Sequence, residues 1–177
     1  MSSISIDLKP LEQLNMLSMF MLQAFNAMEY AEKFEQDPNL SENDRLYLSQ
    51  SMFKDSIMSY CKCFASAESF RIRLDINNVT KNVSVKEEYK ATHKEILNIR
   101  NQYIAHNLEN KFEKIFFETK KVGNSITLIP EYQLLTPIGI YKRCIKHYAL
   151  ILAHITSRIG KAVDKLQKEN NIVIHFE

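Results

Sequence analysis

Arg100, Asn101 and His106 fall within the single run Ile99-Arg100-Asn101-Gln102-Tyr103-Ile104-Ala105-His106-Asn107. A guanidinium, a carboxamide and an imidazole collected this tightly suit the chemistry of a phosphodiester. The imidazole titrates near neutrality and serves as general base or general acid. The guanidinium keeps its charge and offers a fork of donors to phosphorane oxygens. Asn101 orients the phosphate or the arginine. In RNA a 2′-hydroxyl flanks each phosphate. A base takes its proton, the oxygen attacks phosphorus, and an acid protonates the departing 5′-oxygen, which leaves a 2′,3′-cyclic phosphate. One imidazole fills one of these roles at a time, so two copies of His106 across a dimer axis would divide them. Each residue also has an ordinary reading: His106 as a helix C-terminal histidine favoured by the macrodipole, and Arg100 as the partner of a carboxylate such as Glu95.

A helix must carry these groups, and its geometry sets a condition. On an ideal helix Arg100 and His106 stand about 120° apart, and Asn101 and His106 about 140°. A long arginine side chain, or a helix that loosens near His106, is needed to make them converge. His93 and Asn107 share the face of Arg100, seven positions before and after it. Both are candidate substrate-binding residues, with an exposed polar position as the other reading of His93. Tyr103 is placed to stack on a base or to pack in a core.

Helices dominate the surrounding chain. With three Gly and four Pro in 177 residues, the turn-rich loops of all-β folds are poorly supplied. Leu11, Leu14, Leu17, Met21, Phe25 and Met28 recur at helical period. Met16, Phe20, Ala27, Tyr30 and Phe34 add a second apolar stripe, which fits a helix that is fully internal or one that meets a second subunit. Asp37-Pro38-Asn39 ends this helix. Ser41 and Asp44 start the next, which runs to about Phe70. Residues 71–82 read as an irregular connection with a turn at Asn77-Asn78. Ser84 with Glu87 forms a capping box for a third helix from about Val85 to about Asn107. Bulky β-formers flank Val122-Gly123-Asn124 and predict a hairpin near 111–132. Thr136-Pro137 opens a last helix, with a stripe from Ile138 through Tyr148 and Ile155 to Leu166, stopped at Glu169-Asn170-Asn171. On that helix His147 and His154, flanked by Arg143 and Arg158, read as a solvated face, with a polar or RNA-facing stripe as the other reading. The expected fold is mainly α: a single domain over 1–177, a four-to-five-helix up-down bundle with a hairpin insertion.

Charge is divided unevenly. Residues 1–70 hold 5 basic and 10 acidic side chains, and residues 71–177 hold 18 and 11. The half carrying Arg100 is the basic half, which suits an anionic partner. No stretch approaches the roughly 20 apolar residues of a membrane span, no signal peptide opens the chain, and three cysteines without a bridging pattern fit a reducing cytoplasm. Phosphate-binding glycine loops, dinucleotide fingerprints and zinc spacings are missing, so neither cofactor nor metal is expected.

Arg100-Asn101, four residues and then His106 resembles the signature of the HEPN superfamily (higher eukaryotes and prokaryotes nucleotide-binding domain), in its bacterial form where "RN…AH" ends the third helix. The motif covers seven residues, and the helical layout extends the resemblance over most of the chain. The hairpin is not part of the family's minimal core. The resemblance implies metal-independent endoribonuclease activity, a composite active site across a homodimer with Arg100, Asn101 and His106 as catalytic residues, and toxin or phage-defence duty with an antitoxin or regulatory partner. Some family toxins carry a modifiable tyrosine two residues after the histidine. Leu108 occupies that position here, so this form of control is not implied. The alternative within the family is a non-catalytic binding or assembly module. Outside it stands a generic helical adaptor.

Overall fold

A computed structural model describes residues 7–65, 72–101, 113–122, 125–134 and 139–170, with side chains of the 113–134 segment described at 119–121 and 126. The chain is mainly helical. Its elements are α1 (Lys9–Gln36), α2 (Glu42–Lys62), α3 (Ile76–Val79), α4 (Lys86–Ile99), β1 (Glu113–Val122), β2 (Ser125–Leu134) and α5 (Ile140–Asn170). No described helix is long and apolar enough to cross a membrane.

Helix directions follow from cross-contacts. Gln23 reaches Asp55, the Ala24 carbonyl accepts from Ser56, and the Leu17 carbonyl accepts from the Cys63 thiol. From Gln23 and Ala24 back to Leu17 on α1, the partners advance from Asp55 and Ser56 to Cys63 just past the end of α2, so the two are antiparallel. Glu95 pairs with Arg143 and Tyr89 stacks on His147, which sets α4 antiparallel to α5. Phe53 meets Tyr141 and Tyr60 meets Tyr148, so α2 and α5 run the same way. Adjacent packing is α1 on α2, α1 on α5, α2 on α4 and α4 on α5. This is a four-helix up-down arrangement with α2 and α5 on one diagonal. Aromatic side chains bridge that diagonal. The core is Met21, Met28, Ile57, Tyr60, Ile96, Ile99, Tyr148 and Ile151, all at most 2% exposed.

Local chemistry explains most of the boundaries. Ser41 accepts from the Asp44 N–H as the N-cap of α2, and Asp37 closes α1. Several boundaries depart from the expectation. α2 ends at Lys62 rather than near Phe70. There the Cys63 and Phe64 N–H groups take tighter i→i−3 bonds, and the Cys63 carbonyl accepts from Leu74 N–H. Asn77-Asn78 lies inside the single helical turn α3, because the Asp75 side chain caps Asn77 N–H. The N-cap of α4 is Val85, without a side-chain cap bond, so the Ser84–Glu87 box does not form. α5 begins at Ile140 behind Gly139, whose φ of 78° is a left-handed conformation suited to glycine. Thr136 and Pro137 lie outside the described residues. β1 and β2 pair antiparallel from Glu113↔Leu134 to Val122↔Ser125.

Candidate functional site

A cavity of about 490 Å3 opens where the end of α2, α3 and the end of α4 meet. Three of the six residues singled out by sequence line it: His93, Arg100 and Asn101. α4 delivers all three. Ile96 and Ile99 are buried on the core side of that helix, which leaves His93, Leu97 and Arg100 along the edge toward the cavity. At Arg100 and Asn101 the helix widens into a π-type turn, and the Arg100 N–H is shared between the Ile96 and Leu97 carbonyls. Such widened turns re-aim side chains and recur at functional sites. His106, Tyr103 and Asn107 lie outside the described residues.

Arg100 does not pair with Glu95. Its Nη1 donates to the Asn101 Oδ1 at 2.9 Å, while Glu95 is taken by Arg143 of α5 at 3.1 Å. The cavity also receives Lys62, Arg73 and Asp75. Among the described residues cations outnumber anions on the wall, which suits an anionic ligand.

His93 is not an exposed polar residue. It is partly buried, and its Nδ1 lies 2.6 Å from the Tyr60 hydroxyl. The same hydroxyl lies 2.8 Å from His147 Nε2. Phe64 packs on His93 at 4.5 Å between ring centroids, and Tyr89 stacks on His147 at 5.6 Å. His147 is 1% exposed, which corrects its reading as part of a solvated face. It falls on the buried line Ile140, Cys144, His147, Ile151 and Ile155. That spacing is visible in the sequence and marks it as an inward position. Tyr60 reads as an ordinary core residue, and only the fold shows that its hydroxyl joins two imidazoles.

Burial governs the titration of these groups. It lowers the His93 pKa, against an upward pull from Asp75. It drives His147 down to about 3, with His93 adding to the effect. It pushes the Cys61 thiol on the cavity wall up to about 11, although Arg100 pulls the other way. At neutral pH both rings are neutral and Cys61 is an unreactive thiol. Among the described residues no group of His, Cys, Asp and Glu is arranged to hold a metal ion.

No family model matches the chain, and no curated protein and no solved structure matches it.

Proposed function

We propose that this protein is a metal-independent endoribonuclease of HEPN type. The observation that supports it is the convergence of His93, Arg100 and Asn101 on one cavity with a cationic wall. In this reading Arg100 and Asn101 hold the scissile phosphate, and His106 moves the proton of the 2′-hydroxyl or of the leaving 5′-oxygen. A second copy of the chain supplies the complementary His106, and an antitoxin or regulatory protein restrains the activity in the cytoplasm. Incubation of the full chain with RNA in the presence of a chelator tests the reading. Cleavage that leaves 2′,3′-cyclic ends and is lost in both His106→Ala and Arg100→Ala supports it. Intact RNA, or cleavage by either variant equal to that of the wild-type chain, rejects it.

The second reading is a HEPN-like bundle that binds or assembles without catalysis. Met19, Leu22 and Tyr30 favour it, since they leave an apolar strip of α1 between 49% and 67% exposed. A dimer that retains its RNA affinity but leaves RNA intact would select this reading.

A further inference from the structure

The Tyr60 hydroxyl carries one proton and touches two ring nitrogens, His93 Nδ1 and His147 Nε2. Both contacts are hydrogen bonds only when Tyr60 donates to one ring and accepts from the other. Each neutral ring has a single N–H, so two arrangements remain. In the first, His147 Nε2–H donates to Tyr60, Tyr60 donates to His93 Nδ1, and the His93 proton sits on Nε2. In the second, His93 Nδ1–H donates to Tyr60, Tyr60 donates to His147 Nε2, and the His147 proton sits on Nδ1. That Nδ1 is buried and, among the described residues, has no hydrogen-bond partner. A buried N–H without an acceptor is costlier than a bare ring nitrogen. The first arrangement therefore prevails.

We propose that Tyr60 and His147 lock His93 as its Nε2–H tautomer, so that His93 donates a hydrogen bond to a phosphate oxygen in the cavity and does not act as the base. With Nδ1 turned to Tyr60, Nε2 is the ring edge left for the space that His93 lines beside Arg100. The ligand class is a phosphate ester, and the inference rests on the reading of this cavity as the phosphate site. Tyr60 and His147 are positioning residues, because they act only through His93. Protonating His93 requires the whole chain to reverse: Nδ1–H toward Tyr60, the Tyr60 proton toward His147 Nε2, and the His147 proton moved to its unpartnered Nδ1. Asp75 favours that charge, whereas burial opposes it. The proton-accepting role is left to His106.

Long-range 1H–15N NMR of the full chain, labelled at histidine and titrated with inorganic phosphate at neutral pH, tests this. The expected spectrum has His93 Nδ1 in the bare-nitrogen range and Nε2 in the N–H range, with Nε2 shifting as phosphate is added. Tyr60→Phe should turn His93 into a tautomer mixture and weaken phosphate several-fold. Tyr148→Phe, which removes a hydroxyl outside the relay, should change neither. A His93 proton on Nδ1 overturns the proposal even if RNA is cleaved. An Nε2–H tautomer that ignores phosphate overturns the donor role. The wild-type spectrum decides without any variant, and the RNA assay judges the nuclease reading separately.

Discussion

The two sides of the bundle are held together differently. Where α1 crosses α2, small residues bring the backbones close. Ala24, Ala27 and Ala31 are at most 5% exposed, and the Ser56 hydroxyl donates to the Ala24 carbonyl at 2.7 Å. The seam is tight at these positions, and toward its exposed edge Gln23 reaches Asp55 at 3.3 Å. Where α4 meets α2 and α5, rings and polar tips do the joining. Tyr60, Phe64, Tyr89, His93 and His147 form one aromatic and imidazole cluster. Among the described residues α4 spans 14 residues against 28 in α1, and the cavity lies at its end. The close-packed stretch of alanines supplies stability, and the cavity at the end of α4 supplies a place for chemistry.

Large-to-small substitution gives the widest separation of the two sides. Met21 is 0% exposed on α1, and Met21→Ala should cost about 2–5 kcal/mol, the usual range for a fully buried side chain. Leu97 is partly buried on the cavity wall. Leu97→Ala there should cost about 1 kcal/mol, since little apolar area is lost and the site is already open to water. Urea denaturation measures both, and equal costs would erase the distinction.

Acid should act on the cavity side. The His147 pKa is about 3 in the folded chain, down from 6.5. Below pH 6.5 the unfolded chain takes up a proton that the folded chain refuses, so stability falls as pH drops and stops falling near pH 3. Between pH 7 and pH 5 the loss from this group is about 2 kcal/mol. His93 adds a loss of the same sign. His147→Phe removes the larger contribution, so its stability should fall less over the same interval. Parallel curves for wild type and variant would show that His147 is hydrated.

Ser41→Ala probes the α1–α2 side at its end. Its Oγ accepts the Asp44 N–H at 3.1 Å, and losing the cap should cost about 1 kcal/mol. A loss of cooperativity in thermal unfolding, instead of a simple shift of the midpoint, would place the weak point of the bundle at this turn.

How much of this was legible in the sequence depended on range. The periodicity of Leu11, Leu14, Leu17, Met21 and Met28 records which face of α1 is buried, because each position repeats the same environment along one helix. Pro38 and Ser41 act within a few residues of themselves. Ser84–Glu87 has the right spacing, yet the chain turns into α4 one residue later at Val85. His93 and Arg100 share a face by the helical repeat alone, so their convergence was readable. The Tyr60 bridge was not, because it joins residues 33 and 87 positions away in sequence. No local pattern encodes which core tyrosine meets which histidine.

Glu95 and Arg143 give the smallest and sharpest contrast. They tie α4 to α5 with a bond of 3.1 Å between side chains that are 30% and 47% exposed. An ion pair this open contributes less than about 1 kcal/mol and fades with salt. Glu95→Gln should therefore hardly move the denaturation midpoint, and the small shift should vanish at high salt. Among the described residues Glu95–Arg143 is the one ion pair between α4 and α5, so the same substitution should speed amide exchange in α4 without changing exchange in α1. Local opening costs less than global unfolding, and a small loss is a larger fraction of a small barrier. If exchange rises equally in both helices, the two sides open as one unit, and the cavity side has no independent freedom.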